Sequence, residues 1–245
     1  MTDSRTVARA AIRRLVIEGL ERPVTAGRQR IMLAVLTLAV SKGGSALSMR
    51  AIAKEVNMQA ASLYSHFPGG KDQILEATLR WTYLDFLEAT LKPVGEQAET
   101  LTAEEELRGV VAGQVAWEID SAFGTLFEIV VATDLAEKFL SDDAHATIAL
   151  YRGSYVDYIE TIARELRDEP NARARAWAVI IFLNDTVTFS HYVSVTTTRD
   201  EIVEEAYRCC RAIIEGPPSM ATAPNQQVMV ADGTTRSSGS HDTSH

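Results

Sequence analysis

Apolar residues recur along this chain at intervals of three and four: Ile31, Val35 and Leu38; Leu75 and Leu79; Phe127, Val131 and Leu135; Tyr151, Tyr155, Tyr158 and Ile162; Trp177 and Ile181. Residues so spaced share one face of a helix, and no sustained alternation with a period of two competes with that pattern. Helix-breaking or capping residues fall between the periodic stretches, at Gly43 and Gly44, Pro68 to Gly70, Pro93, Ser141 and Asp142, Pro170, and Thr196 to Thr198. The pattern predicts nine or ten helices and an all-α fold class.

One joint is unusually tight. Ser48 to Val56 and Gln59 to Phe67 both read as helices, and only Asn57 and Met58 separate them. Ser48 is a good N-cap, Ile52 faces inward, Ala53 leaves room for two helices to cross, and Asn57 tolerates a left-handed turn. Met58, Leu63 and Phe67 then anchor the second helix, which turns Gln59, Ala60, Ser62, Tyr64 and Ser65 outward. Side chains that small or polar suit a major groove, so this is the expected DNA-reading helix of a helix-turn-helix. The competing account is a helical hairpin whose polar face is merely solvated.

These residues resemble the tetracycline-repressor (TetR) family in register: a first helix from Arg28 to Gly43, SMRAIAK from Ser48 to Lys54, SLYSHF from Ser62 to Phe67, and KDQIL from Lys71 to Leu75. The resemblance implies an N-terminal three-helix DNA-binding domain followed by a larger helical domain for effector binding and dimerisation. It further implies a homodimeric, ligand-responsive repressor of a palindromic double-stranded operator, released by a small, mostly apolar effector, with no cofactor and no enzymatic activity. The expected DNA-binding set is Arg28, Ser48, Arg50, Gln59, Ala60, Ser62, Tyr64, His66 and Lys71. Gln59 can pair with adenine and Ala60 can touch a thymine methyl, whereas Tyr64, His66 and Lys71 suit phosphates. Asn57 stands where the family usually has glycine, Gln59 where it has a Ser or Thr cap, and the link to Lys71 is one residue longer.

Composition sharpens this picture. The 245 residues are 46% hydrophobic, enough for a sizeable core. The most apolar run, Trp177 to Val195, is broken by Asn184, Asp185 and His191, so no membrane span is expected, and Arg9, Arg13 and Arg14 interrupt any leader. A cytoplasmic protein follows, and adjacent Cys209 and Cys210 fit a reducing compartment. The net charge of −9 is unevenly spread: residues 1–80 carry 12 basic against 6 acidic side chains, the remainder 12 against 27. A basic head on an acidic body allows a nucleic-acid partner that the average hides.

Four segments result: 1–27, an arginine-rich extension; 28–75, the DNA-binding domain; 76–216, the effector-binding and dimerisation domain; and 217–245, a Pro, Ser, Thr and Gly-rich tail expected to be disordered. In the extension Arg5, Arg9 and Arg13 share a helical face, which fits either an extra DNA-contacting helix or a solvated lead. His241 and His245 in the tail have helical ligand spacing, but a disordered tail does not preorganise a metal site.

In the body, polar groups interrupt an apolar helix. Trp177, Ile181, Asn184, Thr188 and His191 form one stripe, and Ala178, Phe182, Asp185, Phe189 and Tyr192 the next. A carboxylate among phenylalanines is either paired internally or waiting for a ligand. The expected effector contacts are therefore Trp117, Phe127, Tyr155, Phe182, Asn184, Asp185, Thr188 and His191, with Phe123, Glu128, Tyr151 and Tyr158 as further candidates. The last two helices, about 172–195 and 200–215, are expected to pair with their symmetry mates and bury Val203, Ala206, Tyr207 and Ile213 or Ile214. Two alternatives remain: a DNA-binding activator or architectural protein without an effector, and an enzyme using Asp185 and His191, for which no nucleophile elbow, phosphate loop or metal quartet speaks.

Overall fold

The computed structural model describes residues 4–20, 24–95, 100–121, 124–168, 170–193 and 198–216. Among them there are ten α-helices, one short 3-10 turn and no strand. Helices α1 (Ser4–Leu20) and α2 (Ala26–Lys42) lead through the 3-10 turn Gly44–Ala46 to the short pair α3 (Met49–Glu55) and α4 (Ala60–His66). Then follow α5 (Gly70–Leu91), α6 (Ala103–Asp120), α7 (Gly124–Glu137), α8 (Asp142–Leu166), α9 (Ala172–Val193) and α10 (Arg199–Glu215).

The helices begin where the sequence provides caps. Thr25, Ser48, Thr102, Ser141 and Thr198 each accept, through the side-chain oxygen, the backbone N–H three residues on. At Thr102 and Thr198 the glutamates Glu105 and Glu201 reach back to the cap N–H and close a capping box. Each such cap contributes about 1 kcal/mol.

Helices α2, α3 and α4 enclose Ile31, Val35, Ile52, Leu63 and Phe67, all fully buried. From this head α5 runs unbroken through the expected boundary at residue 75, packing first on α2 and then on α6 and α8 of the body. A second strut is the 3-10 turn against the C-terminal end of α7, where the Ser45 N–H donates to the Glu137 carboxylate at 2.8 Å. Gly43, at φ +82°, leaves room for that carboxylate, because a Cβ there would stand 2.9 Å from it. Two body helices thus touch the head directly.

The arginine face of α1 turns toward the body rather than toward solvent. It packs on α5 and α8, with Arg5 and Arg9 buried. Each donates to one oxygen of the fully buried Glu106 carboxylate at 2.6 Å, and Tyr158 adds a third 2.6 Å bond. Arg13 donates to the carbonyl of Gly95. The physical reason is that Arg5, Arg9, Ile12 and Val16 form one inward stripe at intervals of four and three, with the charge matched by a carboxylate on α6.

Of the residues expected at the dimer face, Ala206, Tyr207 and Ile214 lie in the core of their own chain, and Val203 and Ile213 are half-buried. Conversely Trp177 and Ile181 of α9 point outward, the latter 62% exposed. The expected tail, with His241 and His245, lies outside the described residues.

Candidate nucleic-acid interface and body cavity

The helix-turn-helix closes through its backbone. Met58 N–H donates to Ala53 O at 2.9 Å, and Asn57 holds φ +52°, the left-handed value that its short amide tolerates. Ser48 caps α3 through the Ala51 N–H at 3.2 Å and leaves Arg50 exposed beside it. On α4, Gln59 occupies the cap position without a side-chain cap bond, which leaves its amide uncommitted. Gln59, Ala60, Tyr64 and Ser65 form one exposed face, whereas Ser62 is half-buried.

The flanks of that face are set by packing. The Arg28 guanidinium lies over the Phe67 ring at 4.3 Å, which fixes its height above the core. His66 is half-buried with its ring against Gly27, where a Cβ would come within 3.3 Å of it. Gly70, at φ +71°, makes the extra step in the link, and Lys71 follows it in the first turn of α5. The added residue therefore still leaves Lys71 at a helix N-terminus, where its charge joins the exposed N–H groups. With Arg5, Arg9 and Arg13 turned inward, the positive charge of this face rests on residues 28–75, which hold six basic against two acidic side chains.

A cavity of about 250 Å³ opens in the body between α5, α6, α7, α8 and α9. Of the expected effector contacts, Trp117, Phe127, Tyr155, Asn184 and Asp185 line it, as does Glu128. Phe182 packs against the core without lining it, and Thr188, His191 and Phe123 lie outside the residues whose side chains are described. Tyr151 and Tyr158 do not line it: the first stacks on Tyr83 at 5.7 Å and the second serves Glu106.

The cavity's polar groups are ordered by one glutamine. Gln114 accepts from the Tyr155 hydroxyl at 2.8 Å and donates to Asn184 at 3.0 Å and Glu118 at 3.2 Å. Trp117 is held by an Nε1–H bond to Asp85 at 2.7 Å and by an edge contact with Phe86. Burial raises the Glu128 carboxyl above the usual range; Arg152 draws it back, and the charge of Asp185 raises it further. Burial likewise raises the Tyr83 phenol. Its hydroxyl is enclosed without a hydrogen-bond partner of good geometry among the described residues, although the Arg152 guanidinium is near enough to favour its ionised form.

Residues 31–78 match the family described as bacterial regulatory proteins, tetR family. The match spans α3, α4 and their turn, the segment whose exposed face has just been described. The chain carries a TetR-family DNA-binding domain. Solved structures extend the likeness over the body. A bacterial regulatory protein in the tetR family from Rhodococcus RHA1 is 20% identical, with 78% of this chain and 98% of that one covered at a TM-score of 0.64. SCO4454, a TetR-family transcriptional regulator from Streptomyces coelicolor, is 16% identical, with 82% and 94% covered at 0.59. AibR, solved in complex with isovaleryl coenzyme A and operator DNA, is 19% identical, with 74% and 96% covered at 0.59. At these identities the likeness is one of fold. No curated protein matches the sequence.

The body hides lining residues that the sequence did not single out. Tyr83 and Phe86 sit on α5, which reads as the trailing helix of the head, and Gln114 and Arg152 interrupt otherwise ordinary stripes on α6 and α8. The available signal was the 22-residue length of α5, which carries the aromatic residues Tyr83 and Phe86 in its second half. Among the described residues no cluster of three or more His, Cys, Asp or Glu side chains is arranged to hold a metal, and no helix is long and apolar enough to cross a membrane.

The adjacent thiols differ sharply. Cys210 is fully buried, which pushes its thiol up to about 12, while part-exposed Cys209 is raised by burial and by neighbouring Glu205. At neutral pH a disulfide-based thiol reagent is therefore expected to label Cys209 slowly and Cys210 only on unfolding. Rapid reaction of both thiols in the native protein would show that Cys210 is not enclosed.

Proposed function

We propose that this TetR-type chain is a cytoplasmic homodimeric repressor that holds an inverted-repeat operator and leaves it when a small, mostly apolar molecule enters the body cavity. The observation that carries the reading is the cavity's connection to the head. Helix α5 carries Lys71 in its first turn and presents Tyr83 and Phe86 to the cavity; α7 presents Phe127 and Glu128 at one end and holds Ser45 through Glu137 at the other. A ligand that moves either wall also moves the platform of α4. A DNA binder without an effector has no use for such walls, and the enzyme alternative needs Asp185 and His191 positioned as an acid–base pair, of which Asp185 is exposed and the His191 side chain lies outside the described residues.

The exposed Trp177 and Ile181 of α9 supply the apolar face for dimerisation, and two-fold symmetry of the protein then requires a dyad in the DNA. The occurrence of operator DNA and an acyl-coenzyme A together in the AibR structure agrees with a regulator whose body answers to a small molecule. A hundredfold loss of DNA affinity needs about 2.7 kcal/mol of coupling, within reach of one or two buried hydrogen bonds plus repacking.

Footprinting on genomic fragments tests this. A protected site with a dyad is expected, with affinity that falls steeply as salt rises, because residues 28–75 rather than the acidic whole meet the phosphates. In the same assay Tyr64→Ala should weaken binding to every sequence, and Gln59→Ala should change preference at particular base pairs by about 1–3 kcal/mol. Protection without a dyad, or a chain that stays monomeric at micromolar concentration, rejects the dimeric operator reading.

A further inference from the structure

The geometry points to the chemical class of the effector: a compact apolar body carrying one positive charge, an aromatic or alicyclic amine, with its ammonium group between Glu128 and Asp185. This rests on the reading of the body cavity as the effector site and concerns what that site selects.

The wall carries more negative than positive charge. Glu118, Glu128 and Asp185 line it, and Arg152 is the only lysine or arginine that does so among the described residues. Arg152 is not a close partner even for Glu128: its Nη2 stands 3.3 and 3.5 Å from the two carboxylate oxygens, beyond the roughly 2.7–2.9 Å of a tight charge-assisted bond. Asp185 engages no cation among the described residues. One loosely held guanidinium therefore faces two carboxylates, and an added cation would complete the neutralisation that the chain leaves unfinished.

The opposite wall suits the rest of such a molecule. Phe86, Trp117 and Phe127 present ring surfaces to the cavity, and a cation enclosed by aromatic faces gains from their negative quadrupoles as well as from burial of its apolar part. Trp117 is oriented in advance by Asp85 and by the edge of Phe86, so its face is not free to turn away.

The Tyr83 hydroxyl adds a demand for a polar group on the ligand. The side chain is buried, at 5% exposure, it lines the cavity, and its oxygen has only the nearby Arg152 guanidinium, short of good hydrogen-bond geometry. A phenol oxygen accepts from an ammonium N–H, so an amine that still carries hydrogen satisfies it, whereas a hydrocarbon leaves it orphaned. An anionic ligand fares worst, because it must draw Arg152 from Glu128 and then lies against Asp185.

Calorimetry on the full chain at neutral pH with three probes that share one ring system tests the class: 1-naphthylmethylamine, 1-naphthylmethanol and 1-naphthoate. The amine is expected to bind about tenfold or more tightly than the alcohol, and the carboxylate most weakly. In a Glu128→Gln, Asp185→Asn variant the ratio of amine to alcohol affinity should fall to about one. Should that variant unfold, the single Asp185→Asn change at an exposed position should still lower the ratio. Equal binding of amine and alcohol, or tightest binding of naphthoate, overturns the charge selection and leaves the cavity an apolar effector site. Failure of all three probes to bind overturns the cavity reading along with it.

Discussion

Replacing Glu106 with alanine is expected to cost the protein about 3–5 kcal/mol, and to lower its unfolding midpoint by roughly 10 °C. The carboxylate is fully buried and receives Arg5, Arg9 and the Tyr158 hydroxyl, each at 2.6 Å. Its removal leaves the buried Arg9 guanidinium without its counter-charge, Arg5 with only the half-exposed Glu165 at 2.5 Å, and a phenol without its acceptor. Glu106→Gln should fall between, since an amide oxygen still accepts but carries no charge. Exchanging all three charges for apolar groups, Arg5→Met, Arg9→Met and Glu106→Leu together, should recover most of the loss, because such networks owe little net stability to their attraction and much to the penalty of breaking them. Thermal unfolding checks the series. A Glu106→Ala cost below about 1 kcal/mol would mean that α1 detaches readily and that its arginines reach solvent.

The same network explains where the sequence misleads. Arginines four residues apart look like a solvated or DNA-facing stripe, because charge is normally outside. Helical spacing alone could not say on which side of the Ile12 and Val16 stripe they fall, and the deciding partner, Glu106, lies about a hundred residues away. By contrast the head was legible almost residue by residue. Ser48, Ile52, Ala53, Asn57, Leu63 and Phe67 each occupy the local role that their chemistry dictates, since a helix-turn-helix is built from contacts between near neighbours in the chain. The cavity was legible in part. Trp117, Phe127, Tyr155, Asn184 and Asp185 were named from helical stripes, but a stripe does not tell lining from packing. That distinction depends on how five helices cross, which misplaced Phe182 and concealed Tyr83, Phe86, Gln114 and Arg152.

How α5 and α6 cross can be tested by the sign of a single methyl group. Gly113 sits on α6, one residue before Gln114, and its backbone rests on α5. A Cβ there would stand 2.6 Å from the Thr90 carbonyl oxygen, 2.7 Å from Thr90 Cα and 2.8 Å from the Ala89 carbonyl oxygen. These are backbone atoms, which cannot rotate aside as a flexible side chain would. Gly153 on α8 meets nothing within 4 Å, and neither glycine has a positive φ. On helix propensity alone both Gly→Ala changes stabilise by about 0.5–1 kcal/mol. Gly153→Ala should do so. Gly113→Ala should instead destabilise by about 1–3 kcal/mol, because the overlap forces two long helices apart along the wall that carries Tyr83, Phe86, Gln114 and Trp117. Widening that wall should also weaken effector binding in the calorimetric assay, while Gly153→Ala serves as the control for a harmless methyl. If Gly113→Ala raises the unfolding midpoint as Gly153→Ala does, α5 and α6 are not in backbone contact at this point, and the cavity is shaped by some other crossing.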